Sequence, residues 1–216
     1  MAGSLAPMNR QKARAYAGIV APLVAIAVLL IQGATTPGYD PILNTISELG
    51  SGWRGTGVVA AYGLFVVCFV WEEVARSVPP TGSMAMWISA LVAIGIGCMG
   101  LAVSSPEPWP WNSMGWEGRL HLIFAFVFVF AAIPIACLAA SRALPAAWPG
   151  LRLYSLVTGL GSLALLAGAL MALRASPPNR FVVTHLGLIE RVYVFAFMIW
   201  QCIVSTRLAR RAPNAR

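Results

Sequence analysis

Six apolar runs, each about twenty residues long and nearly free of charge, leave this chain few ways to fold. They cover about Ala15–Ala34, Gly55–Val74, Met84–Val103, Arg119–Ala140, Leu151–Leu173 and Val182–Thr206. At about 1.5 Å per helical residue, such a run matches the roughly 30 Å hydrocarbon core of a bilayer. Inside lipid only helices and closed barrels satisfy their own backbone, and none of these runs alternates as a strand does. The expectation is an all-α, polytopic membrane protein: a six-transmembrane-helix bundle. One domain, residues 15–206, sits between a polar segment, 1–14, and a basic tail, 207–216.

Composition agrees. The chain is 59% hydrophobic and 10% charged, where a soluble domain has about a quarter of its residues charged. The net charge of +8 does not indicate a nucleic-acid partner. The basic residues fall mainly in the gaps between apolar runs, where they act as topology signals, and the partners expected are membrane lipids. Cys68, Cys98, Cys137 and Cys202 each lie inside an apolar run and form no C-x-x-C pair. They read as small packing residues rather than a disulfide framework. The first run resembles a signal peptide in its basic start and apolar middle. Gln32, however, stands near its end where cleavage requires a small residue, so a retained helix is expected.

Charge also orients the bundle. Six spans place both ends of the chain on one side, with Arg10, Lys12, Arg14, Arg76, Arg142, Arg152, Arg207, Arg210, Arg211 and Arg216. The opposite side holds Arg54, Arg119, Arg174, Arg180 and Arg191, together with Asp40, Glu48, Glu107, Glu117 and Glu190. The excess of basic residues places both termini in the cytoplasm of a cell whose plasma membrane the chain crosses. Trp109, Trp111 and Trp116 fit an interfacial aromatic belt, and Pro134 predicts a kink in the fourth span.

The extracytoplasmic side then collects the chemistry. After the first run comes PGYDPILNTISELGS, Pro37 to Ser51. It reads as a short interfacial helix between helices 1 and 2. Asp40 caps it, Pro41 takes the first position, and Ile42, Ile46 and Leu49 share one face. Glu117 and His121 are four apart on the fourth span, while His185, Glu190 and Arg191 open the sixth. Ionisable groups at such depth face a bundle interior or a wet cavity. One polar pocket is expected, walled by the outer ends of helices four and six and covered or lined by the Pro37–Ser51 stretch. Its candidate ligand-binding residues are Asp40, Ser47, Glu48, Glu117, Arg119, His121, His185, Glu190 and Arg191.

Two small-xxx-small pairs, Gly57 with Ala61 and Ser155 with Gly159, suggest close helix approach, and Gly159, Gly161 and Gly168 suggest a buried fifth helix. Gly95, Gly97 and Gly100 form a G-x-G-x-x-G, but no strand precedes it and no acidic residue follows at the required distance. No nucleotide site is expected there.

The combination of PGYDPILNTISELGS, GRLHL in the fourth span and GLIERVY in the sixth resembles the domain-of-unknown-function family 998. These are six-helix integral membrane proteins, largely of bacteria and archaea. The resemblance spans about Gly18 to Thr206 and implies fold and location but no reaction. It carries Tyr39, Asp40, Pro41, Ser47, Glu48, Leu49, Gly50, His121, Glu190 and Arg191 as motif positions. More distantly the layout resembles membrane hydrolases that hold zinc with three histidines, whereas this chain has only His121 and His185.

Three functional readings follow. In the first, the pocket binds a lipid headgroup or small ligand, with Arg119, Arg180 and Arg191 able to grip a phosphate, or it only ties the helices together. The second is a lipid hydrolase or transferase. There the metal candidates His121 and His185 hold zinc with a carboxylate from Asp40, Glu48, Glu117 or Glu190, or Ser47 is a nucleophile. The catalytic candidates of this reading are Ser47, Glu48, His121, His185 and Glu190. The third is haem ligation by His121 and His185, or transport.

Overall fold

The computed structural model describes residues 10–50, 53–69, 81–104 and 115–211, and these residues form an all-helical bundle. In chain order the helices are α1 (Arg10–Thr35), α2 (Ile46–Gly50), α3 (Trp53–Phe69), α4 (Gly82–Val103) and α5 (Trp116–Ile123). A π-helical stretch, Phe124–Phe130, joins α5 to α6 (Ala132–Ala143), and α7 (Pro149–Arg174), α8 (Arg180–Thr184) and α9 (Leu186–Arg211) complete the chain. Five helical segments are long and apolar enough to cross a membrane: Gly18–Thr35, Gly82–Val103, Trp116–Ala143, Pro149–Arg174 and Leu186–Leu208. The shorter apolar stretch Gly57–Val67 within α3 supplies the remaining member of the six-helix bundle. The chain is a multi-pass membrane protein. Glu72, Glu73, Glu107, Trp109, Trp111 and Asn112 lie outside the described residues, while Trp116 is strongly exposed at the first turn of the fourth span.

Lipid tails are as apolar as leucine, so the spans associate through close packing and hydrogen bonds rather than by escape from water. The third span shows how. A Cβ on Gly63 would sit 2.6 Å from the Gly95 carbonyl oxygen, and one on Gly95 would sit 2.8 Å from that of Gly63. The second and third spans therefore touch backbone to backbone. Gly97 meets Phe128 and Val129, and Gly100 meets the ring of Phe124. The G-x-G-x-x-G is a packing surface with one face toward the second span and another toward the π-helical stretch. Trp87 and Trp200 meet edge to face at 6.2 Å, and Trp200 Nε1 donates to Ser155 Oγ at 2.9 Å.

The fifth span departs from expectation. Ser155 and Gly159 do face the bundle, with Gly159 against Leu138, but a Cβ on Gly161 or Gly168 would meet nothing. Only 17% of the Pro149–Arg174 span is buried, the smallest share among the five. Its small residues lie on two different faces, and one of them, with Leu153, Val157 and Leu160, points outward. A Cβ on Gly57 would likewise meet nothing among the described residues, so Gly57 does not mark a close helix approach there.

The irregularity expected at Pro134 takes a definite form. Proline has no N–H to give the Phe130 carbonyl, its α-helical partner. Just before it the helix widens, and Ala131 N donates to Phe126 O at 3.0 Å, five residues back. The Phe130 carbonyl instead accepts from the Tyr193 hydroxyl of the sixth span at 2.6 Å. Tyr193→Phe should therefore cost about 1–3 kcal/mol, the penalty of a buried acceptor left without its donor. Reversible unfolding in bicelles measures it. The cost should shrink in a Pro134→Ala background, where the helix regains an N–H for that carbonyl, and an unchanged cost would contradict this account.

A clamped loop above an apolar cavity

A short helix does stand between the first and second spans, but it covers only the second half of the stretch read from spacing. Pro41, Ile42 and Leu43 make a turn, and only Ile46–Gly50 is helical. Asp40 caps a turn rather than a helix, its Oδ1 accepting from Ile42 N at 2.8 Å. The helix cap is Thr45, whose N and Oγ1 both donate to Glu48 Oε1, at 3.3 and 3.1 Å. Glu48 also accepts from Asn44 Nδ2 at 2.6 Å. Ile46 and Leu49 are buried, while Ile42 is 47% exposed.

The physical reason lies on the sixth span. A helix through residues 41–50 would need the carbonyls of Pro41, Ile42 and Asn44 for itself. Leu188 N donates to Ile42 O at 3.0 Å. The two N–H groups of Arg191 Nη1 are shared among three carbonyls, Pro41 O at 2.7 Å, Asn44 O at 2.8 Å and Gly187 O at 2.9 Å. Its Nη2 donates to the Tyr39 hydroxyl, and its guanidinium carbon lies 5.3 Å from the Tyr39 ring centroid. The Tyr39 hydroxyl in turn donates to Thr45 O at 2.7 Å, with Asn44 O also within 3.0 Å. Burial raises the pKa of this phenol even with a guanidinium beside it, so it stays a neutral donor. Arg191, 8% exposed, is thus a bracket for backbone carbonyls.

Glu190 holds the same loop from the other side. Its carboxylate accepts from Ile46 N at 2.7 Å and from Ser47 Oγ at 3.2 Å. Ile46 opens α2, so the acid meets one of the backbone N–H groups a helix start leaves without a partner. Gly187 completes the fit. A Cβ there would stand 2.9 Å from Pro41 O and closer still to Asn44 O.

Below this clamp lies a partly open cavity of about 70 Å³. Ser47, His121 and Glu190 line it at one end, and most of the remaining wall is apolar, from Ala25, Leu29, Val59, Ile94, Ile133, Val194 and Phe197. Helices one, two, three, four and six all contribute, so the walls are broader and less polar than the expected pocket. His121 is 4% exposed. Its Nδ1 lies 3.1 Å from Ser104 O and 3.3 Å from Ser104 Oγ. The Ser104 hydroxyl already donates to Gly100 O at 2.8 Å, and a carbonyl only accepts. Nδ1 must therefore carry the hydrogen, which in the neutral ring leaves Nε2 an acceptor, buried with no partner.

The other sequence candidates do not line this cavity. Asp40 and Glu48 serve the loop itself. Glu117 and Arg119 are exposed, and the imidazole of His121 engages Ser104. His185 Nδ1 engages Phe181 O at 2.9 Å and Thr184 Oγ1 at 3.0 Å, and its ring stacks on Phe181. Ser47 bonds a carboxylate rather than an imidazole. Among the described residues no three His, Cys, Asp or Glu side chains gather as metal ligands. His121 and His185 each have Nδ1 engaged locally, at Ser104 and at Phe181 with Thr184. The binding residues expected from sequence did not include Tyr39, which the family motif marked, nor Ser104 and Gly187. Gly187 carries a signal, being a glycine in the first turn of an otherwise bulky span.

Removing the bracket should matter more than neutralising its neighbour. Arg191→Met should cost about 3 kcal/mol or more, because several buried carbonyls lose a charged donor. Glu190→Gln, which keeps an acceptor for Ile46 N, should cost about 1 kcal/mol. Chemical unfolding in bicelles gives both values, and equal costs would refute this division of roles.

Neither a curated protein nor a solved structure matches the chain. The family described as "Protein of unknown function (DUF998)" matches residues 19–207, including the loop motif, His121 and the Glu190–Arg191 pair. The chain is a member of that family.

Proposed function

We propose that this membrane protein binds a small amphiphile, lipid-derived or free, with its polar end at Ser47, His121 and Glu190 and its apolar part in the cavity beneath. The observation that carries the reading is that His121, whose Nε2 is a buried acceptor without a partner, lines a cavity whose wall is mostly apolar. An acceptor without a partner in such surroundings costs about 1–3 kcal/mol, and a ligand group relieves that cost. From Glu190 to Met198 the lining follows the sixth span for about 12 Å at the helical rise. A cavity of about 150 Å³ holds a benzene ring, so 70 Å³ suits a slim chain end rather than a ring.

The charge asymmetry of the sequence supports placing this end of the bundle on the extracytoplasmic side of the plasma membrane, with both termini in the cytoplasm. Arg191 is not available to grip a phosphate, since its donors serve the loop and the adjoining turn. What the remaining groups favour is recognition.

Native mass spectrometry from nanodiscs tests this. The wild-type protein should carry an additional amphiphile mass beyond bulk lipid. Val59→Trp, which fills the cavity from the second span, should lose that mass while remaining folded by circular dichroism. Retention of the same species by the filled variant, or no bound species on wild type, would overturn the proposal.

A further inference from the structure

We infer that the polar end of the ligand is a hydrogen-bond donor, a hydroxyl or an amine, and not a phosphate or carboxylate. This rests on the binding reading above and narrows its chemistry. Each polar side chain on the cavity wall can be followed to the place its hydrogen goes. Nδ1–H of His121 is held by Ser104. Ser47 gives its hydrogen to Glu190. The Tyr62 hydroxyl donates to Gln201 Oε1 at 2.7 Å. Cys98 offers a thiol, a weak donor at best. What His121, Glu190 and Ser47 bring to the cavity wall is therefore a buried, unpartnered Nε2 acceptor, a carboxylate and a hydroxyl oxygen whose hydrogen is already given away.

The nearest cation on the same helix turn does not change this. Arg191 is absent from the cavity wall, and its guanidinium is aimed at Pro41, Asn44, Gly187 and Tyr39. Among the described residues, an anionic headgroup entering here would meet a carboxylate and an imidazole acceptor, with no strong side-chain donor on the wall. A hydroxyl or amine would supply the hydrogen that Nε2 lacks.

The chain has only two histidines, so imidazole nitrogen NMR of ¹⁵N-histidine protein in nanodiscs resolves the site. His185→Asn assigns the signals. The probes are 1-octanol, octylamine, heptyl methyl ether and octyl phosphate, compared at equal mole fraction in the bilayer. Octanol or octylamine should shift the His121 Nε2 resonance as an accepted hydrogen bond does, and leave Nδ1 protonated. Octanol should also raise thermal stability at about ten-fold lower concentration than the isosteric ether, which has no hydrogen to give. His121→Phe should remove that ten-fold preference.

The outcomes separate the two levels of the proposal. Ether and phosphate acting as strongly as alcohol, with Nε2 unmoved, would overturn the donor assignment while the cavity still binds. No effect of any probe on wild type or on its stability would overturn the binding reading itself. An Nε2 resonance already hydrogen-bonded and unchanged by every probe would show ordered water only, and the inference would fall.

Discussion

A guanidinium that gathers backbone carbonyls from two distant parts of the chain is the constraint on which this end of the bundle depends. The loop after the first span cannot complete a helix, because Pro41, Ile42 and Asn44 have their carbonyls drawn toward the sixth span. An uncompensated carbonyl near the hydrocarbon boundary is costly, and so is an unpaired guanidinium. Arg191 and the loop each remove the other's penalty. Glu190 adds the complementary step, accepting from the backbone N–H that begins α2. Adjacent residues on one helix thus bind a donor end and an acceptor end of the same short segment.

That division explains why charge near the membrane surface does not by itself mean a charged ligand site. The cation is consumed by structure, and the groups left over toward the cavity are acceptors. Ser104 has the corresponding role for His121. By accepting at its carbonyl while its hydroxyl serves Gly100, it settles which imidazole nitrogen is bare.

The spans were legible in the sequence because lipid admits so few alternatives to a helix of this length. The loop was less so. Ile42, Ile46 and Leu49 satisfy helical spacing equally well whether or not residues 41–44 are helical, and the competitor for their carbonyls lies 150 residues away. The side-chain types at Ser47, His121 and Glu190 could be read, but not that Glu117 and His185 would turn elsewhere. Such choices depend on partners like Ser104 and Phe181, which look like ordinary run-edge residues. Glycine content marked the fifth span as a packing helix, yet which face a glycine occupies depends on its neighbours, and Gly161 and Gly168 look outward.

The π-helical stretch has a consequence for phase. Each residue of an α-helix advances the winding by about 100°, and a wide turn accommodates one residue more than the regular coil. Everything after Phe130 on the fourth span is therefore rotated relative to a regularly wound rod. That offset lets His121 look into the cavity while Ile133, Ala136 and Cys137 still turn toward the core. A relative lacking one residue between 124 and 130 would have to choose between those two alignments.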